Sequence, residues 1–332
     1  MKIIVESKIP YIQGVLESYG NVSYLDSEDI TAETIADADA LFVRTRNVCD
    51  KSLLEGSQCR FIASATIGLD HVDRDYCNAK GIKVVNAPGC NAPAVAQYVF
   101  CSIMQMYKDL KGKTIGIVGV GNIGSIVDRW ARSLGMVTLL NDPPRQRTEK
   151  DDIFVTLDEI AEKSDIITIH APLILEGVDK TFHLFNQEII TKFQKKPLVI
   201  NAARGSITDS NALLEGMEKG KISDVILDCW ENEPDINHVL LERAAISTPH
   251  IAGYSIEGKM RATRMVVDSF TKHFKFPSVK WESPISNSPD KITIDEALKS
   301  YDVLKDSYAL KSNPESFENL RNHYLFRHEI GL

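Results

Sequence analysis

Thr114-Ile115-Gly116-Ile117-Val118, followed at once by Gly119-Val120-Gly121-Asn122-Ile123-Gly124, is the stretch that decides how this chain folds. The first five residues read as a buried strand. The next six form a G-x-G-x-x-G, and residues 123–133 (IGSIVDRWARS) read as a helix. In a strand–turn–helix unit each glycine has a task. Gly119 permits the tight turn, Gly121 lets a diphosphate approach the backbone, and Gly124 lets helix and strand pack closely. The helix start then offers free N–H groups and a dipole that favours an anion. A second strand ends in Asp142, 18 residues beyond Gly124, close to the spacing of about 20 expected for an acid that binds a ribose hydroxyl. Together these predict a dinucleotide site, with NAD favoured because an acid repels the extra phosphate of NADP. Arg145 and Arg147 follow in the next loop and are read as solvated charges.

The pattern extends outward from this unit. Apolar runs at 114–118, 137–140, 166–169, 198–201, 224–228 and 246–248 alternate with helix-length stretches, as in a doubly wound nucleotide-binding domain. Toward the N-terminus, runs at 2–5, 22–25, 40–43, 61–64 and 82–85, with helices expected at 9–19 and 72–79, make a smaller α/β unit of the same kind. A buried helix is expected over 92–109. Another over 256–275 carries Met260, Met265, Val266 and Phe270 on one face. From Pro277 the chain becomes rich in Ser, Pro, Asn and Lys, with helix-like pieces around 294–308 and 314–325. The fold class is therefore α/β, with two doubly wound parallel-sheet domains and a small third module.

Composition narrows the function. The chain has 332 residues, is 43% hydrophobic and 25% charged, and carries a formal net charge of −8. These values suit an ordinary globular protein. A mildly acidic chain without a basic block is a poor partner for nucleic acid or an anionic membrane. No apolar run reaches the roughly 18 to 20 residues that span a bilayer. The six cysteines form no C-x-x-C pair, and the histidines show no ligand spacing. Reduced thiols, a cytoplasmic location and no metal are expected.

Three polar residues follow strands of the larger series. They are Arg204 in Asn201-Ala202-Ala203-Arg204-Gly205, Glu233 in Trp230-Glu231-Asn232-Glu233-Pro234, and His250 in Thr248-Pro249-His250-Ile251-Ala252-Gly253. Ligands in open α/β sheets bind beyond the carboxyl ends of the strands. The three side chains therefore share an edge with the Gly-rich loop. Oxidising an alcohol needs a base near neutral pH, a carboxylate to hold that base, and, for an acid substrate, a guanidinium for the carboxylate. His170 is expected to line the cofactor cleft in a structural role.

These residues, in this order, resemble the D-2-hydroxyacid dehydrogenases. The resemblance implies that Arg204 binds the substrate carboxylate, Glu233 orients the base and His250 is the acid/base. Glu233 is selected over Glu231 because the family places its acid directly before the proline. The resemblance further implies a flavodoxin-like substrate domain over 1–92 and 256–285, a Rossmann NAD domain over 93–255, and an active site in the cleft between them. Gly119, Gly121, Asn122, Ile123, Gly124, Asp142, Ala171, Arg204, Asp228 and Gly253 are implied at NAD. Thr45, Thr66 and Tyr254 are implied at the substrate. Ala171 stands where a Thr is expected. The short linker before residue 114, the Pro143-Pro144-Arg145 sequence, Tyr254 and the C-terminal extension resemble a member that acts on a small phosphorylated 2-hydroxy acid. In that member residues 286–332 would be an α+β dimerisation domain, making a homodimer. Arg44 and Arg46, which flank Thr45 after a strand, are candidates for the substrate phosphate. Acids such as 3-phosphoglycerate or hydroxypyruvate, and an NADH-sensing protein without catalysis, are the alternatives.

Overall fold

The computed structural model describes residues 1–282, 284–285 and 288–331. The chain divides into two units, Met1–Asn91 with Ile256–Asn287, and Ala92–Ser255 with Ser288–Leu332.

In the first unit, β1 (Lys2–Glu6), β2 (Asn21–Leu25), β3 (Ala40–Val43), β4 (Phe61–Ser64) and β5 (Lys83–Val85) form a parallel sheet in the order β2-β1-β3-β4-β5. The period-two alternation of strands feeds two cores. Ile3, Val5, Phe42 and Phe61 enter one, while Ile4, Leu41, Val43 and Ile62 enter the other. The helix Ile256–Phe274 closes the first core with Ala262, Val266, Val267 and Phe270. The helix expected over 9–19 does not form, and that stretch is a series of turns. Pro10 removes a donor, and Tyr11 and Gly14 take positive φ values of 60° and 82°, which no right-handed helix accommodates.

In the second unit, β6 (Thr114–Val118), β7 (Val137–Asn141), β8 (Ile166–Ile169), β9 (Leu198–Asn201), β10 (Asp224–Leu227) and β11 (Ile246–Ser247) form a parallel sheet in the order β11-β10-β9-β8-β6-β7. Strand order reverses between β6 and β8, and the Gly-rich loop leaves β6 at this switch point. The outer strand of a Rossmann half is reduced here to one parallel bridge, Leu140 with Phe154. Ile115, Ile117, Ile166, Leu198 and Ile226 fill one face, and Ile167, Ile169, Val199, Val225 and Leu227 the other.

The tail differs from the expected α+β module. Among the described residues it is helical, with helices Ile294–Ser300, Val303–Ser312 and Phe317–Asn322 and one isolated bridge between Ser255 and Arg327. Local chemistry accounts for the helices. Thr293 and Glu296 make a capping box, and Asp302 caps the second helix through the Lys305 amide. Ile292, Ala297, Tyr301, Val303 and Ile330 enter one core of the second unit, and Leu310 and Phe317 the other. The tail from Ser288 therefore belongs to the nucleotide-binding unit. The boundary expected at residue 286 lies outside the described residues. Among the described residues, no helix is long and apolar enough to cross a membrane, and all six cysteines are buried and outside any disulfide.

Candidate active site

The Gly-rich loop is shaped as its sequence requires. Gly119 has φ +87°, and a Cβ there would lie 2.5 Å from the Ala171 amide nitrogen. A Cβ on Gly124 would lie 2.1 Å from the Gly119 carbonyl oxygen. At Gly121 a Cβ would meet nothing within 4 Å. Two glycines are thus required by the protein's own packing, and the third faces open space. Gly121 is also the N-cap of helix Asn122–Ser133 and gives it no side-chain cap. Open space in front of uncapped helix amides fits a diphosphate. Asn122 is exposed and Ile123 half-buried at the helix start. Ala171 leaves β8 beside Gly119. His170, just before it, is held neutral because burial pushes its ring down to about 3, and Thr168 Oγ1 lies 3.0 Å from its Nε2.

Asp142 builds the far side of this loop. Its carboxylate accepts from the Val120 amide at 2.9 Å and caps the next helix through the Arg145 amide at 3.1 Å. The two nearby arginines are committed elsewhere. Arg145 pairs with Glu149 at 2.8 and 2.9 Å and donates to the Val120 carbonyl, while Arg147 pairs with Asp179. Neither presents an unneutralised charge for a 2′-phosphate. Asp142→Ser keeps a capping oxygen and removes only the negative charge. It should lower the ratio of kcat/KM for NAD to that for NADP by about tenfold, the factor set by ~1.4 kcal/mol. Initial rates with both cofactors check this, and an unchanged ratio would mean that Asp142 does not select the cofactor.

The three polar residues are assembled by their loops. After β9, the buried Asn201 amide donates to the Arg204 carbonyl at 2.9 Å, and its Oδ1 accepts from the Ala203 amide at 3.1 Å. A Cβ on Gly205 would lie 1.9 Å from the Trp230 backbone. The Arg204 turn is therefore pressed onto the loop that follows β10. In that loop the Trp230 amide donates to Glu233 Oε1 at 2.9 Å, and the Trp230 indole donates to the Thr248 carbonyl at 3.0 Å. Glu233 Oε2 then lies 2.8 Å from His250 Nδ1. His250 itself takes a positive φ of 57°, a strained backbone of the kind found at functional positions.

Glu231, the rival acid, points away. One of its oxygens lies 2.6 Å from His183 Nε2, and the other accepts from the Ser210 amide at 2.8 Å. Burial raises the Glu233 carboxyl, but the His250 ring, the Trp230 amide and the Arg321 charge outweigh it and hold it below the usual range. With Nδ1 occupied by a carboxylate, His250 presents Nε2 to a ligand. Cys229, Glu233 and His250 place possible ligand atoms within 4.8 Å of one another. Burial and the nearby carboxylates push the Cys229 thiol far up. The Cys229 thiol donates to the Ala203 carbonyl, and the hydrogen-bonded acid/base pair is Glu233 with His250.

Asp228 is buried and shapes the loop after His250. Its carboxylate accepts from the Ile251 and Ala252 amides at 2.8 and 2.9 Å and from the Thr248 hydroxyl at 2.7 Å. Burial raises its pKa, outweighing these contacts. On the other side Arg327, from the tail, donates to the carbonyls of Ile251, Ala252, Tyr254 and Ala94 and to Gln97 Oε1. Its guanidinium lies 4.1 Å from the Tyr301 ring centroid. Gly253 sits within the segment thus held. Arg321, also in the tail, brings Nη1 within 3.9 Å of Glu233 Oε2. Neither tail arginine is identified as part of the site by any local signal in the sequence.

The remaining candidates lie in the first unit. Arg44, after β3, pairs through Nε and Nη2 with the buried Glu6 carboxylate. Thr45 and Arg46 are exposed in the same loop. The Thr66 hydroxyl lies 2.7 Å from Ser64 Oγ and donates to the Gly68 carbonyl at 3.2 Å. Ser64 in turn lies 3.2 Å from His71 Nε2.

Residues 99–252 match the model of the D-isomer specific 2-hydroxyacid dehydrogenase NAD-binding domain. The whole chain aligns with an erythronate-4-phosphate dehydrogenase of Bacteroides thetaiotaomicron at 48% identity, covering 99% of this chain and 97% of the relative. The chain belongs to the D-isomer specific 2-hydroxyacid dehydrogenases. It is an NAD-dependent oxidoreductase. A second erythronate-4-phosphate dehydrogenase, from Porphyromonas gingivalis, is 39% identical over 98% of this chain and 92% of its own length. Among solved structures, the D-lactate dehydrogenase of Aquifex aeolicus with NAD and lactic acid superposes with a TM-score of 0.69 at 26% identity, covering 83% of this chain and 96% of that one. The NAD-bound 3-phosphoglycerate dehydrogenase of Entamoeba histolytica gives a TM-score of 0.70 at 27% identity, covering 83% and 95%.

Proposed function

We propose that this protein oxidises 4-phospho-D-erythronate at C2 to (R)-3-hydroxy-2-oxo-4-phosphooxybutanoate in pyridoxine 5′-phosphate (vitamin B6) biosynthesis. The observation that carries the reading is the 2.8 Å contact of Glu233 with His250 Nδ1 on the sheet edge that also bears the Gly-rich loop. NAD, when bound, accepts the hydride from C2. The chain supplies the rest. His250 Nε2 takes the C2 hydroxyl proton, and Glu233 fixes the ring and stabilises the cation that results. Arg204 holds the C1 carboxylate through parallel hydrogen bonds. Gly119, Gly121, Asn122, Ile123, Gly124, Asp142, Ala171, Asp228 and Gly253 form the cofactor side. Thr45, Thr66 and Tyr254 are the substrate contacts in this reading. Arg44, paired with the buried Glu6 carboxylate, and Arg46 are the first unit's phosphate candidates.

The full-length identity to erythronate-4-phosphate dehydrogenases favours this substrate over 3-phosphoglycerate or hydroxypyruvate. Following NADH absorbance with the three acids tests it. Oxidation of 4-phospho-D-erythronate is expected at a kcat/KM at least about tenfold above either alternative, a margin of ~1.4 kcal/mol. A preference for another acid, or no turnover at all, would reject it. We also place the protein in the cytoplasm as a homodimer. Leu298, Leu304, Tyr308 and Leu325 of the tail are exposed apolar side chains suited to covering by a second copy. The mass found by light scattering on the full chain decides between dimer and monomer.

A further inference from the structure

We infer that Arg321, carried on the C-terminal tail, is a specificity-determining residue that forms, with Tyr254, the subsite for the substrate's phosphate group. The inference rests on the reaction proposed above.

Arg321 is held beside the reacting groups. Its helix, Phe317–Asn322, is pinned by Phe317, which is buried in the core of the nucleotide-binding unit. From there the guanidinium reaches Glu318 at 3.4 Å and Glu233 Oε2 at 3.9 Å, and the Tyr254 side chain is close enough to act on its charge. Tyr254 is itself fixed by edge-on contacts with Tyr324 and Phe326, at ring-centroid distances of 6.1 and 6.0 Å. Glu233 is the carboxylate on His250. Arg321 therefore stands one side chain away from the ring that takes the proton, with 22% of its own side chain still open to solvent. That combination of fixed placement and partial exposure suits a ligand contact.

Charge decides what the ligand group is. A phosphorylated hydroxy acid brings a carboxylate and a phosphate of about −1.5 to −2. Arg204 answers the carboxylate. The phosphate, two carbons beyond the reacting C2, needs a second cation. Arg321 is the cation beside Glu233 and Glu318, and its planar fork can bond two phosphate oxygens at once. Arg327 cannot serve, because its donors are spent on backbone carbonyls, Gln97 and the Tyr324 hydroxyl.

The test compares 4-phospho-D-erythronate with D-erythronate, the same acid without phosphate, in the full-length protein and in Arg321→Met and Arg321→Lys. For the methionine variant, the ratio of kcat/KM for the phosphorylated to the plain acid is expected to fall at least about tenfold, or ~1.4 kcal/mol. The lysine variant should fall between, because it keeps the charge and loses the fork. An unchanged ratio overturns the inference. An equal loss on both acids also overturns it, by showing that Arg321 acts only through the Glu233–His250 pair. Calorimetric titration of inorganic phosphate onto the NADH complex gives a readout free of turnover. Binding should weaken at least about tenfold in Arg321→Met, and either equal affinity or no binding to the unmodified protein rejects the subsite. If the unmodified protein oxidises neither acid, the proposed reaction fails, and the phosphate titration alone judges the subsite.

Discussion

Replacing His250 by alanine is expected to lower kcat by a factor on the order of 10² to 10⁴, the usual contribution of a positioned general base. NADH affinity should stay close to that of the unmodified protein, because the diphosphate cradle is built from Gly119, Gly121 and Gly124 at the other end of the site. The size of the loss follows from the arrangement of the ring. Glu233 on Nδ1 fixes the tautomer and the direction of Nε2, and the Trp230 amide fixes Glu233. Removing the imidazole takes from the half-buried Glu233 carboxylate one of the groups that lower its pKa, leaving the Trp230 amide and the Arg321 charge, so its pKa should rise. Initial rates and NADH fluorescence titration check the two halves of the expectation separately. Near-normal turnover would remove His250 from the mechanism, and a matching loss of NADH binding would mean that the substitution disturbs the loop rather than the chemistry.

The readable part of this protein is the part written locally. Gly119 and Gly124 are identifiable because the steric demand on each comes from a strand–turn–helix only a few residues long. The central parallel strands β1, β3, β4, β6, β8, β9 and β10 are legible because each is a short apolar run buried on both faces. Where neighbours in sequence do not decide, the reading stops. Residues 9–19 carry helix-compatible apolar spacing, yet Pro10, Tyr11 and Gly14 turn them into a chain of turns. Glu231 and Glu233 are two residues apart and chemically alike. Only the distant His183 and Ser210, which take Glu231, separate them by geometry. The tail is hardest, because the function of Arg327 is defined by carbonyls of Ile251, Ala252 and Tyr254 more than seventy positions away.

Arg327→Met should destabilise the protein by about 1 to 3 kcal/mol, the cost of leaving a buried acceptor unpaired. The position explains the magnitude. The Ile251 and Ala252 peptides lie between the buried Asp228 carboxylate and the half-buried Arg327 guanidinium. Asp228 takes their N–H groups at 2.8 and 2.9 Å, and Arg327 takes their carbonyls. Loss of the guanidinium removes a side-chain donor from the Ile251, Ala252, Tyr254 and Ala94 carbonyls, of which Ile251 keeps the Tyr254 amide at 2.9 Å, and each buried acceptor left unpaired costs about 1 to 3 kcal/mol before the structure relaxes. A typical domain has a stability of about 5 to 15 kcal/mol, so the variant should stay folded at moderate temperature but with a much lower urea midpoint. Because His250 begins this loop with a positive φ of 57°, the freed segment should relax toward an unstrained backbone and move the ring. Turnover per folded molecule should then fall as well, and Arg327→Lys should recover part of both losses. A urea midpoint within error of the unmodified protein would show that the carbonyls find other partners. A large loss of stability with full turnover would show that the loop holds His250 without help from the tail.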